Sequence, residues 1–372
     1  MSASKSLVLD LRVGDFVEVR AEEEILATLD EHGALDGLPF MPEMLQFCGK
    51  RFRVEKRADK TCNTITVMES RRLYHTVHLE NLRCSGADHG GCQAQCYLFW
   101  KEAWLKRVPE SDAAAVRHGG VSENQAQSGP VACDRERLYR MTQRQDVPGS
   151  EEIHYRCQTT DLLKASEPLP WWDVRQYWRD IRCGNVGAFH VFKVFLFRLF
   201  LKSLKLGIGY RAQLWAYNRF QAWRGGTPYP YRAGELDKTP SAKKDLQPGE
   251  LVQVKPYGEI LKTLNKRNRN RGLFFGEEMV PYCGKVHRVR ARVERIVDER
   301  SGKMLKLPGE CIILEGAICR GDYSEKRLFC PRQIYPYWRE IWLERVDGGT
   351  QSPATGAIAA AESCSADLER SR

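Results

Sequence analysis

Cysteines that recur at equivalent positions in two stretches of the chain are the residues best suited to chemistry. They are Cys48, Cys84 and Cys92 in the first stretch and Cys283, Cys319 and Cys330 in the second. The other seven of the 13 cysteines have no such counterpart. Thiolates are soft ligands, and zinc or an iron–sulfur cluster takes three or four of them in a tight shell. The pattern therefore predicts a zinc or iron–sulfur site in one or both stretches.

A fourth ligand is available in each stretch, although its identity differs. The first offers Cys96, which follows Cys92 after three residues, or His89 nearby, and the second offers Cys311. The fourth ligand can differ between the two stretches if the three shared cysteines set the geometry of the metal site. The chain has no Cys-x2-Cys pair, so the spacing typical of zinc fingers is missing. Small buried thiols that pack beneath turns are therefore the alternative interpretation.

A reactive thiol is a third interpretation, centred on Cys48. Lys50 would lower the pKa of this thiol, and His75, His78 or His89 could serve as the base. The chain has no Walker loop, dinucleotide glycine motif, His-Glu-x-x-His or Gly-x-Ser-x-Gly sequence. These absences favour a binding or accessory protein over an enzyme.

The two stretches are diverged copies of one module. A constant offset of 235 aligns them without a gap from Gly14 to Gly86, and 18 of the 42 pairs between positions 13 and 54 are identical. After an insertion in the second copy the offset becomes 238, and residues 100–108 then match residues 338–346. Glu43 and Glu278 also recur and could be acids in a cleft, although we expect them to cap a helix or lie exposed beside a turn. Such a match indicates internal duplication.

Each copy is predicted to contain several short strands and one short helix. The opening of the first copy, Val-Gly-Asp-Phe-Val-Glu-Val, resembles the first strand of SH3-like barrels, including those of transcription and translation proteins. The resemblance implies a small barrel or half-open sheet. We therefore predict an α+β fold, in which a duplicated β-rich module of this SH3-like or half-open type flanks a mainly α-helical insert.

Composition divides the chain into five predicted parts. They are a first module at 13–108, a flexible linker at 109–132, an aromatic-rich helical insert at 133–246, a second module at 248–346 and a disordered tail at 347–372. The linker and the tail are rich in small and polar residues, which do not bury enough apolar surface to fold.

One loop has reversed its charge between the copies. Residues 30–36 are acidic, whereas the equivalent residues 265–271 carry the cations Lys266, Arg267, Arg269 and Arg271. Such a cluster could bind the phosphates of a nucleic acid or a phospholipid. It could also face the acidic loop across the pair of modules, or be a solvated loop.

The most apolar segment, residues 188–206, is predicted to be a basic amphipathic helix. Lys193, Arg198, Lys202 and Lys205 gather on one half, and phenylalanines and leucines occupy the other. Lying in a membrane interface is one role for such a helix. We expect instead that its apolar half docks on both modules as their shared core, because the neighbouring tryptophans also need burial.

Charge and cysteine content indicate the compartment. The 372 residues carry a net charge of +10, which favours anionic partners, although a protein partner is also compatible. The first residues show no secretory leader, and no stretch of about 20 apolar residues predicts a membrane span. We therefore expect a cytoplasmic protein with reduced thiols, with peripheral contact at the inner face of the membrane as the alternative.

Overall fold

The computed structural model describes residues 8–65, 69–109, 132–144, 152–207, 209–224, 228–229, 233–324 and 326–346. The predicted linker, apart from residues 109 and 132, and the whole predicted tail lie outside these ranges. The described residues form a mixed α+β fold of several small antiparallel sheets and six α-helices, as the sequence predicts at this level.

The first module contains nine strands, the helix α1 (Glu22–Leu26) and the 3₁₀ helices Pro42–Phe47 and Glu102–Trp104. Its strands are β1 (Phe16–Val19), β2 (Ala34–Leu35), β3 (Leu38–Pro39), β4 (Arg51–Arg57), β5 (Lys60–Cys62), β6 (Ser70–Arg72), β7 (Thr76–Leu79), β8 (Trp100–Lys101) and β9 (Leu105–Arg107). Five of them make a sheet in the order β8-β7-β4-β1-β9.

The described residues of the insert form four helices and three short strands. They are α2 (Arg135–Arg140), β10 (Gln143–Arg144), β11 (His154–Tyr155), β12 (Glu167–Pro168), α3 (Arg175–Arg182), α4 (Ala188–Lys205) and α5 (Tyr210–Trp223). Strand β12 pairs with β6, so the insert extends a three-stranded sheet of the first module.

The second module repeats the arrangement of the first. Its elements are β13 (Leu251–Val254), α6 (Tyr257–Leu261), β14 (Arg269–Asn270), β15 (Leu273–Phe274), the 3₁₀ helix Glu277–Tyr282, β16 (Val286–Val297), β17 (Met304–Leu314), β18 (Trp338–Arg339), the 3₁₀ helix Glu340–Trp342 and β19 (Leu343–Arg345). The sheet order is β18-β17-β16-β13-β19, which is the order of the equivalent strands in the first module. Even the register agrees, because Phe16 pairs with Arg53 and Leu251 pairs with Arg288.

Each module has its own apolar core around two tryptophans. Trp100 and Trp104 are fully buried in the first core, as are Trp338 and Trp342 in the second. The indole nitrogen of Trp104 donates to Thr28 Oγ1 at 3.1 Å, so this large side chain is buried with its polar atom satisfied. Duplicate sequences therefore produce duplicate cores.

The modules contact each other through the segment that follows β7. Gln93 N donates to the carbonyl of Arg295 at 3.0 Å, and Val297 N donates to Cys92 Sγ at 3.3 Å. Arg295 and Val297 belong to β16, which is longer than its counterpart β4. The extension of β16 thus covers the cysteine-bearing loop of the first module.

The expectation that residues 188–206 form a shared core is wrong. Helix α4 buries Val191, Val194 and Leu204, whereas Phe189 and Phe192 are exposed to solvent. The reason is that each module closes its own core, so α4 packs only a narrow side against a small cluster that includes Phe329. None of the helices in the described part of the chain is long and apolar enough to cross a bilayer.

Candidate metal site

Three side chains of the first module bring possible metal ligands together. One ligand atom each from Glu43, Cys84 and His89 lies within 4.8 Å of the other two. The closest approach joins Cys84 Sγ and His89 Nε2, at 3.2 Å. Within the described ranges, no other three His, Cys, Asp or Glu side chains come this close.

Glu43 enters the site from the 3₁₀ helix Pro42–Phe47, and its carboxylate is buried. Its Oε2 accepts hydrogen bonds from Ser85 N at 2.9 Å and from Ser85 Oγ at 2.5 Å. Its Oε1 is also buried, but has no hydrogen-bond partner among the described residues. A buried oxygen in this condition is costly, so a bound cation would stabilise it.

Cys84 and His89 are positioned by a tight turn at residues 86–91. Cys84 N donates to the carbonyl of Cys96 at 2.8 Å, and Gly91 N donates to the carbonyl of Gly86 at 2.9 Å. Gly86 has φ of +74°, and a Cβ at this position would lie 1.9 Å from the carbonyl oxygen of Cys92. Only glycine allows this close approach, which brings His89 back against Cys84.

The site lies in the wall of a cavity of about 350 Å³ between the two modules and the insert. Cys92, Cys96 and Cys157 also line this cavity. Its far wall includes Arg332 and Tyr335 of the second module. The cavity is therefore large enough for a small organic ligand, and three protein elements contribute to it.

Burial governs the electrostatics of the site. It raises the pKa of Cys84 well above the ordinary thiol value, and the nearby Glu43 carboxylate raises it further. Burial also lowers the pKa of His89, and raises the pKa of Cys96 to about 12. Neutral imidazole is the form that binds metals, whereas a thiolate next to a carboxylate requires a compensating positive charge. A divalent cation would supply that charge.

The same effects oppose a nucleophilic role for Cys48 and Cys84. Burial, with Glu22 and Glu23 nearby, raises the pKa of Cys48 to about 11, and its side chain packs against the core. Cys84 has a histidine partner, but its raised pKa leaves the thiol protonated near neutral pH. Neither cysteine has the lowered pKa of an activated thiol.

The structure separates the predicted metal-binding cysteines of the first module into two sets. Cys84, Cys92 and Cys96 all line the cavity, whereas Cys48 does not. Cys84 alone belongs to the group of three close ligands.

The predicted cysteines of the second module are likewise dispersed. Cys283 packs against the module core, and Cys311 Sγ accepts from Arg339 at 3.5 Å. Cys330 instead hydrogen-bonds with Cys62 of the first module, and Cys319 lies near that pair.

The second module keeps only two of the three close ligands. Glu278 and Cys319 are equivalent to Glu43 and Cys84, but residues 321–329, which replace the turn with His89, contain no histidine. Glu278 Oε1 accepts from Tyr323 N at 2.7 Å, so backbone donors satisfy this carboxylate. The two copies have therefore diverged at this position.

The cations predicted to bind anions lie elsewhere. Lys266 is exposed and paired with Asp237 at 3.0 Å, and Arg269 donates to the carbonyl of Gly272 at 3.0 Å. Arg267 and Arg271 lie in the same loop. In the acidic loop of the first module, Asp36 accepts from Lys101 at 2.8 Å. Lys266, Arg269 and Asp36 therefore have partners within their own surroundings.

Sequence reasoning identified Cys84 and His89 as candidate ligands but interpreted Glu43 as a cap or an exposed acid. Its recurrence as Glu278 was the available signal. Cys157 also lines the cavity. No pattern in the sequence indicated this residue, because it belongs to the insert and has no counterpart in either module. No family model, curated protein or solved structure matches this chain.

Proposed function

We propose that the protein binds one zinc ion through Glu43, Cys84 and His89. The observation that carries the proposal is the clustering of three different ligand atoms within 4.8 Å. Support comes from the two buried polar atoms Glu43 Oε1 and His89 Nδ1, which have no partner among the described residues. A buried acid, thiol and imidazole side by side are costly unless a cation joins them.

The donor set favours zinc over an iron–sulfur cluster. Zinc accepts sulfur, nitrogen and oxygen ligands together, whereas clusters are held mainly by thiolates. Cys84 supplies the one thiolate of the close group. Cys92 and Cys96 line the same cavity and are alternatives for a fourth ligand.

The position of the site supports a role in ligand binding. Three protein ligands leave a coordination position for water or another ligand, as in zinc sites that interact with small molecules. All three side chains line the cavity, so this position would face it. We infer an accessory protein of the cytoplasm, in which duplicated SH3-like modules enclose a metal-dependent binding site. The free state of the 12 described cysteines supports a reducing compartment.

Elemental analysis of the protein purified without chelators or oxygen tests the proposal. We expect one equivalent of zinc, and loss of that zinc in Cys84→Ser and in His89→Gln. The matched control is Cys319→Ser, which changes the equivalent cysteine in the module without a histidine and is expected to keep the metal. Folded wild-type protein without metal would overturn the proposal, as would equal loss from Cys84→Ser and Cys319→Ser.

A further inference from the structure

A second feature of the molecule, independent of the zinc site, is the apolar surface of the insert. Helices α4 and α5, with Leu206 at the end of α4, expose large apolar side chains along most of their length. They are Phe189, Phe192, Phe195, Leu196, Leu199, Leu206, Tyr210, Trp215, Phe220 and Trp223. Phe189 is 72% exposed and Trp223 is 83% exposed. Monomeric proteins rarely expose so many large apolar side chains on two adjacent helices, and large exposed apolar patches mark interaction sites.

Lysines flank the apolar strip of α4. At about 100° per residue, Phe192, Leu196 and Leu199 fall along one line of the helix. Lys193 lies to one side of this line and Lys202 to the other, and Lys205 lies further round the helix at its C-terminal end; all three are exposed. Lysine side chains so placed can extend to phosphate groups while their methylenes follow the apolar surface. This is the pattern of a helix that lies parallel to a membrane surface.

The charge of the surrounding segment has a single sign. Residues 181–234 contain nine lysines and arginines and no aspartate or glutamate. The remaining charged residues of the chain include all 48 of its acids, so this segment differs sharply from the rest of the molecule. A uniformly positive apolar surface complements anionic phospholipids and not neutral ones.

The two helices form a hairpin that is fastened to the body of the protein. The Phe200 and Tyr217 rings stack with centroids 4.8 Å apart, and Ser203 donates to Gln213 at 2.6 Å. At the other end of α4, His190 contacts Asp322 at 2.9 Å and Val191 is buried in a small cluster with Phe329. His190 and Val191 point away from the line of Phe192, Leu196 and Leu199, so their contacts attach α4 to the body and leave this line exposed.

Helix α5 adds a shallow groove suited to a phosphate headgroup. Tyr210, Arg211, Trp215 and Arg219 are among its lining residues. Two guanidinium groups beside aromatic rings combine charge for a phosphate with apolar surface for an acyl chain. Tryptophan and tyrosine are also the aromatic residues enriched at membrane–water interfaces.

We propose that α4 and α5 lie in the interface of an anionic phospholipid bilayer and attach the protein to it peripherally. The apolar strip enters the region below the headgroups, and Lys193, Lys202, Lys205 and the arginines of α5 contact the phosphates. Several weak contacts together provide the attachment, since one amphipathic helix or one basic cluster binds membranes only marginally.

Vesicle flotation with the full chain tests this proposal. We expect the protein to float with vesicles of phosphatidylcholine and phosphatidylglycerol in equal parts, and to stay unbound with phosphatidylcholine alone. Replacing Lys193, Lys202 and Lys205 by glutamine should weaken binding about 100-fold, since each cation near the surface contributes about fivefold. Phe192→Ala combined with Leu199→Ala should weaken it by on the order of 100-fold. These side chains are exposed, so both variants should fold normally.

The matched control replaces Lys266, Arg267 and Arg269 by glutamine, which removes the same charge from the basic loop of the second module. This variant should bind vesicles like the wild type. The proposal is overturned if the loop variant loses binding while the helix variants keep it. It is also overturned if the wild type does not float with anionic vesicles, including the case in which α4 and α5 instead mediate self-association.

Discussion

Cys84 Sγ lies 3.2 Å from His89 Nε2, although each residue is positioned by a different part of one tight loop. Cys84 is fixed by the backbone bond to Cys96, and His89 by the turn that begins at Gly86. Glu43 joins them from a 3₁₀ helix more than 40 residues earlier in the chain. The contact therefore depends on the fold of the whole first module, and it faces a cavity that the second module completes.

Replacing Gly86 by alanine should disrupt this loop. The new Cβ would lie 1.9 Å from the carbonyl oxygen of Cys92, in a backbone conformation with φ of +74°. We expect a loss of at least about 3 kcal/mol in the free energy of unfolding, measured by urea denaturation. Gly49→Ala is the control, because Gly49 has φ of +72° with no atom within 4 Å of its Cβ position. That change should cost only about 1 kcal/mol. Equal losses in the two variants would contradict the account of the turn.

The buried His78 should make the free energy of unfolding depend on pH. Burial lowers its pKa to about 3, although Nδ1 donates to the carbonyl of Leu98 at 2.9 Å. The imidazole of His78 stays neutral in the folded protein, whereas in the unfolded chain it binds a proton below about pH 6.5. The free energy of unfolding is therefore highest above pH 6.5 and decreases as the pH falls toward 3. This residue alone should lower the free energy of unfolding by up to about 1.4 kcal/mol per pH unit.

The variant His78→Ile tests this assignment with a residue that the second module already uses, since Ile313 occupies the equivalent position. Urea denaturation at several pH values between 5 and 7 should give a shallower decline for the variant than for the wild type. Parallel curves would show that His78 does not cause the decline.

The two modules also offer a matched pair of buried ion pairs. Arg57 contacts Glu102 at 2.8 Å, and its counterpart Arg292 contacts Glu340 at 3.1 Å. Arg57 is 2% exposed, whereas Arg292 is 19% exposed, so water screens the second pair more. Arg57→Met should therefore destabilise the protein by about 4 kcal/mol, and Arg292→Met by about half as much. Urea denaturation of both variants measures this difference, and the reverse order would contradict it.

Much of the fold could be predicted from the repeat. Once positions are aligned at the offset of 235, and at 238 from residue 100 onward, the 3₁₀ helices, the buried tryptophans and seven of the nine strands of the first module have separate counterparts in the second. Strands β5 and β6 align with parts of β16 and β17. Alternation of apolar residues identifies β1 and β13 directly. The length of β16 and its contact with the Cys92 loop could not be predicted, because they depend on how two folded modules pack.

The site could be predicted only in part. Recurrence of cysteines indicated Cys84, which the structure places in the group of three close ligand atoms, but gave the same weight to Cys48, which packs against the core. Three shared cysteines do not require one shared location, because small thiols also suit buried positions below turns. Glu43 shows the opposite difficulty. An acidic residue that recurs near the start of a helix is predicted to cap that helix. The structure instead places the carboxylate of Glu43 close to Cys84.

Helix α4 illustrates a different limit of sequence reasoning. Its apolar pattern predicts a buried face, but the pattern does not specify what buries it. Because each module completes its own core, Phe189 and Leu199 remain exposed, which the pattern of the helix alone could not predict.

Cobalt titration of the metal-free protein, followed by visible absorption, tests the zinc proposal most directly. Cobalt(II) adopts the tetrahedral sites that zinc uses, and a thiolate ligand gives an intense charge-transfer band. We predict saturation at one cobalt per chain, a thiolate band that disappears in Cys84→Ser and persists in Cys319→Ser, and displacement by zinc. Cobalt binding without a thiolate band, or a band that survives Cys84→Ser, would contradict a metal site built on Cys84 and His89.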